Sequence, residues 1–148
     1  MTGARSIGLL FTDREAFRTI DLLRLLYATT AVVAFFVTEA GRSVYRPYIY
    51  EKGINDLGIA DSMGNLGGIV VQIFFSLAIL NSQKKKAFHV IGFLVAGYVV
   101  YEIVQPYLPK GVFDWKDIFG TIVGVVVSVL VLLLLRLIVK NNRVFIKF

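Results

Sequence analysis

An all-α fold that crosses a membrane four times follows from three features of this 148-residue chain. Hydrophobic residues make up 57% of it, charged residues only 18%, and the apolar residues gather in four long stretches. Soluble domains carry roughly 45–50% apolar and about 25% charged residues, so a mean hydropathy of +0.73 falls outside the soluble class. Each span needs about 20 residues. The length therefore suits one polytopic helical membrane domain over residues 1–148, with no room for a second domain.

The first span is expected at Leu22–Glu39, after a polar, cytoplasmic N-terminal segment of residues 1–21. Thr12-Asp13-Arg14-Glu15 reads as a capping box, so a helix should begin there and run into the membrane. The apolar run exceeds a signal-peptide core of about 7–15 residues and no Ala-x-Ala site follows it, which predicts an uncleaved span. The second, third and fourth spans are expected at Ser62–Leu80, Phe88–Tyr107 and Ile118–Val139. A short tail, residues 140–148, completes the chain.

Basic residues set the orientation, because cytoplasmic loops are enriched in Lys and Arg. With both termini cytoplasmic, that side holds 11 of the 16 Lys and Arg, including Lys84-Lys85-Lys86, but only three of the 10 acidic residues. The net charge of +6 and pI near 9.7 are thus read as an orientation signal rather than a nucleic-acid footprint. Membrane lipids are the expected partners, with further membrane subunits or a second copy of the chain as alternatives. The lysine triplet itself reads as a turn held by anionic lipid.

The absence of cysteine excludes disulfides, a CxxC redox pair and a thiolate zinc site, and the single His89 cannot build a histidine cage. No Gly-rich phosphate loop or helical His-Glu-x-x-His is present. No cofactor is expected.

A shift of 56 residues aligns Tyr45-Arg46 with Tyr101-Glu102, and Asp61-x-x-Gly64-Asn65-x-x-Gly68 with Asp117-x-x-Gly120-Thr121-x-x-Gly124. The spans then form two parallel helical-hairpin repeats about an axis along the membrane normal. Gly64 and Gly68 are expected to face Gly120 and Gly124 across that axis, since small residues let helix backbones approach closely in lipid.

The outer boundary collects the chemistry. Tyr45, Tyr48, Tyr50, Tyr101, Tyr107 and Trp115 read as an aromatic belt or as a ligand platform. Glu102 lies inside the third span, where a carboxylate must be paired, protonated or placed in a polar cavity. Arg46 is its counterpart in the repeat, and an Arg46–Glu102 ion pair is the simplest expectation. Pro47 disfavours helical geometry at Arg46, so the first span should fray there. Asp61 and Asp117 precede spans and read as helix caps. Asp114-x-x-Asp117, with Asp61 as a third carboxylate, is alternatively a Mg²⁺-holding pattern for lipid chemistry.

The segments Tyr101-Glu102-Ile103-Val104-Gln105, Pro109 to Ile118 with its Asp114-x-x-Asp117 turn, and Gly120 to Gly124 together resemble the signature of the VanZ-like membrane proteins. That pattern is a Glu-x-x-Gln helix end, a short outer loop with an Asp-x-x-Asp turn, and a glycine-containing last span. The resemblance covers Tyr101 to Gly124; Val112 stands where the pattern has Arg, and Thr121 where it often has Asn. It implies a protein of the bacterial cytoplasmic (inner) membrane, in a family named for low-level teicoplanin resistance, with Glu102, Gln105, Asp114 and Asp117 in an outward polar site. Arg46 and Asp61 join that site through the repeat. The expected function is non-catalytic binding of a cell-envelope ligand or glycopeptide. An accessory subunit of a larger membrane complex and a metal-dependent lipid-modifying enzyme are the alternatives.

Overall fold

The structure, a computed structural model, describes the backbone of residues 3–80, 84–109 and 111–145 and the side chains of residues 22–80, 86–109 and 111–140. Helix α1 (Gly3–Ala40) passes through a π-helical turn (Gly41–Tyr45) into α2 (Arg46–Lys52); α3 (Ile59–Leu80) and α4 (Lys84–Val104) follow, then a 3₁₀ turn (Gln105–Tyr107) and α5 (Trp115–Phe145). The described residues contain no strand. Four segments are long and apolar enough to cross a membrane: Leu22–Lys52, Ile59–Leu80, Lys86–Tyr107 and Trp115–Lys140. The chain is thus an all-α, four-span membrane protein in architecture.

Two local expectations change. Helical backbone begins at Gly3, ahead of Thr12–Glu15, so the capping-box segment lies inside α1 rather than starting it. Its side chains lie outside the described residues, as do those of Lys84, Lys85, Lys110, Arg143 and Lys147. The first span also continues through Arg46, with Pro47 in the first turn of α2. A proline cannot donate to the carbonyl four residues back and its ring crowds that carbonyl. The preceding π turn, in which Arg46 N–H reaches Gly41 O, widens the helix at that point and accommodates it.

Helix α3 is the centre of the bundle: α1 and α5 pack along it and α4 covers a third side, whereas α1 and α4 do not touch. Ile69, Ile73, Phe74 and Leu77 of α3 are fully buried and meet Tyr27, Ala31, Ala87, Ile91 and Leu132 from the surrounding helices. By contrast, Phe35, Phe36, Phe93, Leu130, Leu134 and Leu137 are exposed on α1, α4 and α5. Such an apolar exterior around a buried axis is stable only where hydrocarbon is the solvent. Away from the loop end, Arg136 Nε donates to Tyr27 Oη at 3.1 Å, and its Nη1 is buried without a hydrogen-bond partner among the described residues.

The glycines set how closely helices meet α3. A Cβ built on Gly120 would lie 2.7 Å from the Ser62 carbonyl oxygen, and one on Gly124 would lie 2.4 Å from the Leu66 carbonyl oxygen and from Ile69 Cγ2. The second and fourth spans therefore touch, with the small residues supplied by α5. Gly64 and Gly68 do not face them: a Cβ on Gly64 meets nothing within 4 Å, and one on Gly68 meets Tyr98 Oη of α4 at 3.0 Å. Helical periodicity explains the difference, because Ser62, Leu66 and Ile69 share one face of α3 while 64 and 68 turn toward another. It is Gly67 that admits α1, with Thr38 Oγ1 only 1.9 Å from where its Cβ would be.

Candidate functional site

The described connections, residues 53–58 and residues 108–109 with 111–114, lie at one end of the bundle, and the polar residues converge there. Each connection caps the helix after it. Asp56 accepts hydrogen bonds from the N–H groups of Gly58 (Oδ1, 3.1 Å) and Ala60 (Oδ2, 2.7 Å) and from Tyr45 Oη (Oδ2, 3.2 Å). Asp114 Oδ1 accepts from Lys116 N at 2.9 Å. The caps are thus Asp56 and Asp114, satisfying helix-start N–H groups, while Asp61 and Asp117, expected as caps, lie in the first turns of α3 and α5 with their carboxylates free for other work.

Asp61 is the hub of an ionic network. Tyr50 Oη donates to its Oδ1, Lys116 Nζ donates to its Oδ2 at 2.5 Å, and Arg46 Nη2 stands 3.9 Å from Oδ1. Arg46 Nε donates to Tyr50 Oη at 3.1 Å, and the guanidinium lies 5.3 Å from the Tyr50 ring centre. This arrangement joins α2, α3 and α5 through one carboxylate.

Glu102 is 2% exposed and is not paired with Arg46. Asn65 Nδ2 donates to its Oε1 at 2.9 Å. With its amide nitrogen turned inward, Gln105 donates to Glu102 Oε2 at 2.6 Å and to the Val112 carbonyl at 3.1 Å. Two neutral amides therefore satisfy this carboxylate, and the last ties α4 to the connection before α5. Burying a carboxylate is costly unless its oxygens are hydrogen-bonded, and here each oxygen accepts from a side-chain amide.

Between the two networks lies a polar pocket of about 420 Å³ lined by Arg42, Arg46, Asp61, Gly64, Asn65, Asp114 and Asp117. Of the sequence-predicted site, Arg46, Asp61, Asp114 and Asp117 line it directly, while Glu102 and Gln105 stand behind Asn65 as its support. Gly64 supplies open floor; Gly68, Gly120 and Gly124 belong to helix packing. Sequence reading placed Tyr50 among the boundary aromatics but did not pair it with Asp61, and it did not single out Asn65 as a partner of Glu102 or Arg42 as part of the site. An asparagine inside an apolar span next to an intramembrane glutamate was the available signal for Asn65.

The charges in the pocket are unevenly compensated. Lys116 holds Asp61, and Arg42 Nη1 holds Glu39 Oε1 at 3.1 Å. Asp114 uses Oδ1 for its cap, and neither Asp114 nor Asp117 has a salt bridge among the described residues. No group of three His, Cys, Asp or Glu side chains converges as a metal-ligand set among the described residues. The geometry defines a polar, mixed-charge pocket at one end of a four-span helical bundle. No protein-family model matches the chain, and no curated protein or solved structure is significantly similar to it.

Proposed function

We propose that the chain is a VanZ-like integral protein of a bacterial cytoplasmic membrane, with both termini cytoplasmic, that binds a cell-envelope ligand at its outward end without catalysing a reaction. The observation that carries this reading is the 420 Å³ pocket lined by Arg42, Arg46, Asp114 and Asp117, with open space at Gly64. Such a pocket suits the polar end of a lipid-linked precursor or a glycopeptide. The metal-dependent alternative gains nothing from the geometry, because Asp61, its third carboxylate, is already held by Lys116 and Tyr50.

Native mass spectrometry of the full chain, extracted from bacterial membranes in mild detergent, tests the reading. Wild type should retain a bound amphiphile that Gly64→Leu, which fills the pocket floor, loses; an identical bound complement in the two would overturn it. A reporter fused after Phe148 should be active only in the cytoplasm, and the opposite result would reverse the orientation.

A second reading, an accessory subunit, rests on an apolar groove of about 360 Å³ on the other side of α3, lined by Val33, Val37, Met63, Val70, Val127 and Val131 among others. Stoichiometric copurification of another membrane subunit would favour it, and extraction as a lone chain would weigh against it.

A further inference from the structure

The pocket does not end at its polar rim. Because α1 and α4 do not touch, a strip of α3 stays uncovered between them. Gly64, Gly68, Gln72, Phe75 and Ile79 recur at three- and four-residue spacing, which places them on one helix face. Gly64, Gln72, Phe75 and Ile79 are exposed. Tyr98 of α4 borders this strip at Gly68. On the other side Leu25 and Ala28 of α1 border Phe75 and Ile79 in a second, largely apolar hollow of about 410 Å³. From Gly64 to Ile79 the lane runs roughly 22 Å along the helix at 1.5 Å per residue, more than half of a ~30 Å hydrocarbon core. At its upper end Gly64 also lines the charged pocket; its lower end is mainly apolar, with Arg24, whose Nε donates to the Ala78 carbonyl at 2.8 Å, at its margin.

The pocket carries both signs of charge. Asp114 and Asp117 stand three residues apart with no salt bridge among the described residues. Arg42 and Arg46 line the same pocket. Paired carboxylates attract a compact cation that can donate several hydrogen bonds, and guanidinium groups favour phosphate oxygens.

Resting on the ligand-binding reading above, we propose that the occupant is an amphiphile that enters sideways from the membrane. Its acyl chain lies in the α1–α4 lane, its phosphate on Arg42 and Arg46, and a protonated primary amine on Asp114 and Asp117. Phosphoethanolamine-type headgroups fit this description. A quaternary amine lacks the N–H donors, and a purely anionic headgroup lacks the cation.

The test measures binding of dioleoyl phosphatidylethanolamine, phosphatidylcholine and phosphatidylglycerol, and of soluble O-phosphoethanolamine, to the purified full chain in detergent. The ethanolamine lipid should bind at least tenfold more tightly than the other two, and Asp117→Asn should erase that preference while the chain keeps its helical content. Soluble O-phosphoethanolamine should bind more weakly than the whole lipid, and Gln72→Trp, which obstructs the lane, should weaken the lipid but not the soluble headgroup.

Equal binding of the ethanolamine and glycerol lipids, both lost in Gly64→Leu, would overturn the amine assignment and leave the ligand-binding reading intact. Headgroup binding as tight as whole-lipid binding would overturn the lane. Failure of any probe to distinguish wild type from Gly64→Leu would remove the lipid assignment, and if extracted chains also carry no pocket-dependent ligand, the ligand-binding reading falls with it.

Discussion

Replacing Gly124 and Gly64 with alanine, one at a time, separates a packing glycine from a pocket glycine within the same bundle. An alanine in a helix interior is favoured over glycine by up to about 1 kcal/mol. At Gly64 nothing lies within 4 Å of the added methyl, so Gly64→Ala should gain up to that amount. At Gly124 the methyl would lie 2.4 Å from the Leu66 carbonyl oxygen, and a helix backbone cannot swing aside as a side-chain tip can. Overpacking costs about 1–3 kcal/mol. The upper part of that range applies at Gly124, so after the propensity gain a net loss of about 1–2 kcal/mol remains. The two variants should therefore differ by about 2–3 kcal/mol, on the order of 30–150-fold in the unfolding equilibrium. Unfolding in mixed detergent and dodecyl sulfate micelles, followed by circular dichroism, measures this difference. Equal effects of the two substitutions, or a larger loss at Gly64, would refute the assignment of α5 as the helix whose glycines admit α3.

Three other outcomes follow from the same structure. Asn65→Ala should destabilise by about 1–3 kcal/mol by leaving Glu102 Oε1 buried with one donor fewer. Its cost should be less than additive with Glu102→Leu in a double-mutant cycle, and simple additivity would deny the coupling. Tyr27→Phe should cost about 1.5–3 kcal/mol, since it removes a hydrogen bond from an arginine whose Nη1 already lacks a partner among the described residues; an unchanged unfolding midpoint would contradict that contact. Gly64→Cys should react with a membrane-impermeant maleimide in the folded protein while Ser128→Cys, fully buried on the inner face of α5, should react only after unfolding. Comparable labelling rates would close the pocket.

Much of the architecture was legible because hydrocarbon imposes a single length and a single polarity on every span, and the four apolar runs meet both. The site was legible by position more than by partnership. Glu102 stood out as a carboxylate in an apolar helix, and the need for a partner was correctly inferred. Arg46 was the expected partner because opposite charges are the obvious solution, yet Asn65 and Gln105 provide it as neutral donors. Asp61 was expected to cap α3, but the residue that reaches the free N–H groups is Asp56, five positions earlier, because the connection turns through Leu57 and Gly58 at positive φ. The glycine pattern drew attention to 64 and 68, whereas Gly67 makes the tight α1 contact. Which side of a helix meets which neighbour depends on the arrangement of all the spans, and no local motif encodes it.

The π-helical turn at Gly41–Tyr45 has a genetic consequence. A π turn holds one residue more than an α turn of the same rise, so it acts as a stored single-residue insertion. Loss of one codon between Gly41 and Tyr45 would let the helix close into ordinary α geometry without shortening the span. The helices on either side would keep their register, but the widened turn that accommodates Pro47 would be lost, and the proline would crowd the carbonyl four residues back in an ordinary α turn. Single-residue deletions should therefore be far less tolerated in those five positions than substitutions there, and an indel scan of the segment would display that asymmetry directly.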